Sequence, residues 1–375
     1  MFSFRTPNTP YWTLFAEFLA NRPINHRHRR GFRRHHAFMA YPRKSLICLE
    51  DTPYYHVVAR CVRRAWLWGY DDYAAKDYSH RKAWVLQRLH QLAEIFSIDL
   101  CAYAIMSNHY HLVVRVDRQR MARLTHAEVA TRWSQLFSTP PLIQRWQDGR
   151  VNTAERFAAE KLIECWRLRL IDVSWYMRCL NEHLARRANA EDGCTGRFWE
   201  GRFKSQALLD ESGLLTAMAY VDLNPVRAGI AAVPEESLFT SIYARLQRFG
   251  RESAVRPQNR RLIKGHLHGH ASPPLLGFSE SADSRQPSIP MKFLDYLELL
   301  DWTGRHRADN PGAMKLPPML TRVRIEPEAW LQVMRPNGNR FGRAIGRLER
   351  LQSHARRLGQ SWVRGLQVAR KLQQA

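Results

Sequence analysis

The stretch Ile98–Val116, IDLCAYAIMSNHYHLVVRV, is where the fold of this chain becomes legible. Ile98 to Ile105 and His109 to Val116 are short runs of β-favouring residues. Met106-Ser107-Asn108 separates them, so a hairpin is expected. Along a strand, residues i and i+2 point to the same face. His109 and His111 therefore project side by side while Tyr110 faces the other way. Two neutral imidazoles on such a platform can bind one divalent cation. An HxH pair alone does not identify a metal site, so its surroundings decide.

Upstream, YYHVVARCV from Tyr54 to Val62 reads as a strand. Arg81 to Phe96 then carries Val85, Leu86, Leu89, Leu92, Ala93 and Phe96 at helical spacing. A β-α-β-β start implies an α+β fold, a ferredoxin-like or RRM-like antiparallel sheet with packed helices. From 117 to 195 the character changes to Arg-rich amphipathic segments, including Ala154 to Leu170 and Ser174 to Arg187, which suggests a helical insertion. Arg197-Phe-Trp-Glu-Gly-Arg-Phe-Lys204 leads from there into an apolar strand, Ser205 to Leu209. Asp210 and Ser212 are capping residues for a helix through Leu223, and Pro225 would end or kink it.

The end of that helix, AYVDLNPVRAG from Ala219 to Gly229, supplies the missing context. If the turn after Tyr220 stays helical, Asn224 lies at i+4 and shares a face with the phenol. One segment then offers a nucleophile and a neutral oxygen ligand. Asn224-Pro225 also has the form of an N-cap followed by proline at N1, with Gly229 closing the short turn.

The chain has 375 residues and is 45% apolar, enough to fill real cores, so disorder throughout is excluded. Lys and Arg number 58 against 34 Asp and Glu; the resulting +24 makes a polyanion the first partner to consider. The six cysteines form no CxxC pair, which argues against a zinc ribbon or a thioredoxin-type site. No apolar run approaches the roughly 20 residues that span a bilayer, and the opening residues lack the pattern of a secretory signal. No membrane association and a cytoplasmic location are therefore expected.

Residues 1–38 contain the basic run His26 to His36, either a phosphate-binding arm, a solvated tail, or sequence upstream of a start at Met39. Residues 39–250 read as the main domain, with the insertion at about 117–195. Residues 251–290 are rich in Pro, Ser, Gly and His and read as a linker. Residues 291–375 form a basic, mainly helical C-terminal extension. Phe293 to Trp302 is a short helix within it, and Arg343 to Leu372 places Ile345, Leu348, Leu351, Ala355, Leu358, Trp362, Leu366 and Ala369 along one face. From 321 to 375 there are 12 Lys or Arg against 3 Glu, a local net of +9 that suits either a phosphate backbone or a solvated face.

The strings Met106-Ser-Asn-His-Tyr-His-Leu-Val-Val114 and Tyr220-Val-Asp-Leu-Asn-Pro-Val-Arg-Ala-Gly229 resemble the single-tyrosine HUH transposases of the insertion-sequence-200-like group. Arg197-Phe-Trp-Glu-Gly-Arg-Phe-Lys204 and the Asn-Pro-Val-Arg-Ala-Gly run bring the likeness nearer to REP-associated tyrosine transposases. It covers about residues 45–240.

That resemblance implies a metal-dependent DNA nicking and strand-transfer enzyme. Its substrate would be single-stranded or hairpin DNA, its nucleophile Tyr220, its intermediate a 5′-phosphotyrosine. A divalent metal, Mg2+ or Mn2+, would sit on His109 and His111, with Asn224 as third ligand. Arg197, Arg202, Lys204 and Arg227 are the expected DNA contacts. Members of the group are often dimers, so a homodimer is left open. The separation of His111 from Tyr220 is larger than in compact members, so the insertion must fold away from the site. The alternative is a host-adopted DNA-binding protein of the same fold without transposition activity. Trp66, Trp68, Trp175 and Trp199 could stack on unpaired bases, although core packing is the favoured role for each.

Overall fold

The computed structural model describes residues 46–62, 70–71, 76–252, 272–279, 286–307, 316–335 and 342–373. The basic run at 26–36, Met39, Trp66, Trp68 and much of the 251–290 linker lie outside the described residues.

The layout grows from β1 (Tyr54–Arg60), whose alternate residues Tyr55, Val57 and Ala59 are buried together. It pairs antiparallel with β5 (His109–Val116) on one side and β6 (Lys204–Leu208) on the other. Beyond β5 lies β4 (Ile98–Ile105), also antiparallel, with a register shift between Leu100 and Ala102. At the other edge β6 is joined in parallel by β7 (Ala344–Ile345), so the sheet order is β4-β5-β1-β6-β7. The first four strands in that order, with helices between them, are the ferredoxin-like arrangement. A short separate ribbon pairs β2 (Tyr70–Asp71) with β3 (Lys76–Asp77).

The fold is thus α+β, but the sheet is mixed rather than wholly antiparallel. The parallel strand comes from the C-terminal extension, which the sequence pattern had read as helix. Gly359 (φ 66) and Gly365 (φ 112) adopt left-handed conformations that L side chains avoid. They divide the expected Arg343–Leu372 stretch into α13 (Leu348–Arg357) and α14 (Leu366–Leu372), preceded by β7. The rest of the extension comprises α10 (Phe293–Arg307), α11 (Pro318–Arg322) and α12 (Pro327–Met334).

Two layers cover the sheet. On the Tyr110 face, α1 (Arg81–Ile95) packs with α6 (Val173–Glu191), and the Tyr110 hydroxyl donates to Asn181 Oδ1 on α6. The insertion continues outward from there through α2 (Arg118–Ala122), α3 (His126–Ser134), α4 (Pro141–Gln147) and α5 (Thr153–Arg169). Thr125 with Glu128 and Asn152 with Glu155 form capping boxes on α3 and α5. Trp133 and Trp166 stack at 5.5 Å between ring centroids to build its core. Trp175 packs edge-on against Trp133, and Trp199 donates its indole N–H to the Asn181 carbonyl at 2.8 Å, so both are packing residues.

The opposite face carries α7 (Glu211–Asp222), which packs on β4, β5, β6 and β7. This helix is apolar on nearly every side, as befits one sandwiched between layers. Asp210 caps it by accepting from Gly213 N at 2.9 Å, and its other oxygen accepts from Arg347 N at 2.6 Å. A Cβ on Gly213 would lie 2.5 Å from the Ile345 carbonyl oxygen, so β7 crosses the start of α7 at a distance that glycine permits. At the far end Asp222 is fully buried. It accepts from Ile242 N at 3.0 Å, at the start of α9 (Ser241–Glu252), and from Tyr296 Oη of α10 at 2.7 Å. These bonds hold the last turn of α7, where Tyr220 sits.

Candidate active site

His109 and His111 lie on the α7 face of β5, and the ring of Tyr220 reaches His111 from α7. The Tyr220 ring stands edge-on to His111 at 5.8 Å and to His56 at 6.1 Å between centroids. His109 and His111 are 4.9 Å apart by the same measure. Within one chain the Tyr220 ring thus stands beside His111 and His56. The insertion does not intervene, because the strand alternation that aims Tyr110 at α6 aims both histidines away from it.

His56 was not anticipated. It occupies the same face of β1, where its Nε2 is 2.9 Å from His111 Nδ1 and its Nδ1 is 2.8 Å from Gln206 Oε1 on β6. Gln206 is also its cross-strand partner. A sequence signal existed for His56, an imidazole flanked by Tyr55 and Val57 in the strand YYHVVAR, whereas Gln206 lies among other polar residues in KSQAL and had none. Arg60, directly opposite His109 in the β1–β5 register, was also overlooked.

Burial governs the charge of these imidazoles, because a low-dielectric setting penalises the protonated form. His56 and His109 are pushed down to about 4, the latter aided by the nearby Arg60 charge. His111 is held well below the ordinary range by burial, then by His109, His56 and Arg227. At neutral pH all three are neutral, the form that binds metals. His109 Nδ1 lies 2.6 Å from Asn108 Oδ1; an oxygen that only accepts requires that nitrogen to carry the hydrogen, leaving Nε2 with a lone pair. His111 Nε2 is buried and has no hydrogen-bond partner among the described residues. A buried polar atom left in this way calls for an explanation, and a cation is one that fits the donor set.

Asn224 is the first residue of α8 (Asn224–Arg227) and is half-buried. The chain turns helically from α7 into α8, with Leu223 N donating to Ala219 O and Arg227 N to Leu223 O. The expected Asn224 cap is not formed. Leu223 holds the N-cap position and makes no side-chain capping bond, so proline falls one place later than anticipated. Continuous helical geometry had no need of the cap. Gly229, at φ 70, does close the turn. Among the described residues no group of three or more His, Cys, Asp or Glu side chains is arranged around a metal position.

Cationic groups rim the site. The Arg227 guanidinium carbon lies 4.0 Å from the Tyr220 ring centroid, and its Nη2 donates to the Arg335 carbonyl at 2.8 Å. Lys204 is exposed and pairs with Val58, which pairs in turn with His111. Paired residues share a face, so Lys204 and His111 are two strands apart, roughly 10 Å. Arg197 and Arg202 are exposed in the segment leading into β6, whose Phe198 and Trp199 anchor it beside the end of β1.

No protein-family model matches the chain, and no curated protein matches it. Among solved structures it is similar to a REP-associated tyrosine transposase bound to a REP hairpin. The identity is 11%, over 55% of this chain and 82% of that one, with a TM-score of 0.32. Among the described residues no helix is long and apolar enough to cross a membrane.

Proposed function

We propose that this chain cleaves and rejoins single-stranded, hairpin-associated DNA, with Tyr220 as the nucleophile. The observation that carries the reading is the meeting of the Tyr220 ring with His111, whose buried Nε2 has no partner among the described residues. A purely structural cluster gains nothing from leaving such an atom bare.

His109 and His111 would hold a divalent metal, Mg2+ or Mn2+, through their Nε2 atoms, with Asn224 as the oxygen ligand. When bound, the metal withdraws charge from a non-bridging phosphate oxygen and orients the group for in-line displacement. Arg227, Arg60 and Lys204 attract the phosphodiester and offset its charge, which would otherwise repel the nucleophile. Arg227 also fixes the ring of Tyr220 from one side while the imidazoles flank it from another. The Tyr220 oxygen attacks phosphorus, loses its proton, and forms an O–P bond as the bond to the 3′ oxygen breaks. The products are a 5′-phosphotyrosine and a free 3′ hydroxyl. Phenoxide leaves more readily than an alkoxide, so a 3′ hydroxyl can attack back and seal a strand without an energy source.

The test is incubation with a 3′-labelled single strand carrying a hairpin, in Mg2+ or Mn2+, followed by denaturing electrophoresis. Label is expected to travel with the protein, and Tyr220→Phe should give none while still binding the hairpin. Hairpin binding with no adduct in the wild type would instead leave a DNA-binding protein of the same fold.

A further inference from the structure

His111 can serve as a ligand through Nε2 in only one of its two neutral tautomers, and a chain of hydrogen bonds across the sheet selects that tautomer. The chain begins in the C-terminal extension. Gln206 Nε2 donates to the Gly342 carbonyl at 2.7 Å. With its amide nitrogen committed there, Gln206 presents Oε1 to His56 Nδ1 at 2.8 Å. A carbonyl oxygen only accepts, so His56 Nδ1 carries the hydrogen and its Nε2 is left with a lone pair. That lone pair is 2.9 Å from His111 Nδ1, which must therefore be the donor. The hydrogen on Nδ1 leaves the lone pair of His111 on Nε2, the atom with no partner among the described residues.

We propose that Gly342, Gln206 and His56 form a relay that presets His111 in the Nδ1–H tautomer, making His56 and Gln206 positioning residues for the ligand atom. The metal part of this inference rests on the proposed function; the tautomer part does not. The relay gives the C-terminal extension a role at the site. Gly342 is held beside β6 by Ala207 N donating to the Arg343 carbonyl at 2.8 Å, and its own N–H donates to the Arg364 carbonyl at 3.2 Å. The segment that adds the parallel edge strand also orients the Gln206 amide. Partners on the far nitrogen of a ligating histidine generally fix its tautomer and ring orientation, and their loss costs about 10–100-fold in metal affinity.

The relay can be read directly in full-length, metal-free protein labelled with 15N-histidine, by long-range 1H–15N correlation spectra. His56 and His111 are both expected as Nδ1–H. Gln206→Leu removes the acceptor at similar volume, so the His56–His111 bond can run in either direction. A population of Nε2–H at His111 should appear, with Mn2+ affinity, followed by electron paramagnetic resonance, falling about 10-fold or more. Gln206→Asn keeps the amide but withdraws it by one methylene from His56, and should give the same two changes. A proton on His111 Nε2 in the wild type overturns the relay, as does an unchanged His111 tautomer in Gln206→Leu. If the Gln206 variants do not fold, the wild-type spectrum decides alone. Wild-type Nδ1–H at His111 together with no Mn2+ uptake would instead refute the metal site and leave the relay standing.

Discussion

Acid should unfold this protein partly through its histidine cluster, and His56 allows the size of that effect to be worked out. The side chain is 3% exposed and held at about 4, against an ordinary value of 6.5. Because the folded value is the lower one, the unfolded chain binds the proton more readily between pH 6.5 and 4, and stability falls as pH drops through that window. Above 6.5 the contribution is fully retained. A shift of that size corresponds to about 3 kcal/mol lost once pH is below both values, since each unit is worth about 1.4 kcal/mol. His109 and His111 are displaced in the same direction and add to the slope. The assay is urea unfolding of metal-free protein at pH steps from 7.5 to 4.5, for the wild type and His56→Gln. The variant is expected to lose stability less steeply, by up to one proton, or about 1.4 kcal/mol per pH unit mid-window. Subtraction cancels the carboxylates common to both proteins. Parallel curves would mean that His56 does not resist protonation in the folded state, and the neutral cluster would have to be abandoned.

His109→Ala should eliminate metal-dependent cleavage while leaving hairpin binding within a few-fold; an unaltered rate in Mg2+ and Mn2+ would remove His109 from the ligand set. Arg227→Met should slow adduct formation more than it weakens hairpin binding, because the guanidinium lies against the attacking ring; equal losses in both would make Arg227 a simple DNA contact. Gly213→Ala forces a Cβ towards the Ile345 carbonyl, so urea unfolding should reveal a cost of about 1–3 kcal/mol. A neutral result there would mean that β7 is not held against α7.

The proposed relay gives these experiments a shared logic. His111 bonds His56 through one nitrogen and has no hydrogen-bond partner among the described residues on the other, while Tyr220 approaches the same ring from α7. Substitutions on β1 and β6 should therefore be felt at the ligand atom without touching DNA. Substitutions on α7 and α8 should be felt in the chemistry without changing the tautomer.

Local pattern was sufficient for much of this protein. Two β-favouring runs separated by Met106-Ser107-Asn108 placed the hairpin at Ile98–Ile105 and His109–Val116 with the bounds the structure has, and pleating set His109 and His111 on one face. Capping residues at its start and Pro225 beyond its end located the helix that carries Tyr220. Tertiary structure alone decided what those faces meet. His56 and Gln206 lie on strands read from the sequence, yet their pairing with each other and with His111 joins positions 150 and 55 residues apart, and no local period encodes it. The parallel edge strand is a similar case: Ala344 and Ile345 have the same apolar character in a strand or a helix, and the open edge of β6 selected between them. Sequence periodicity records which side of an element is apolar; the partner on that side is chosen by how the whole chain closes its core.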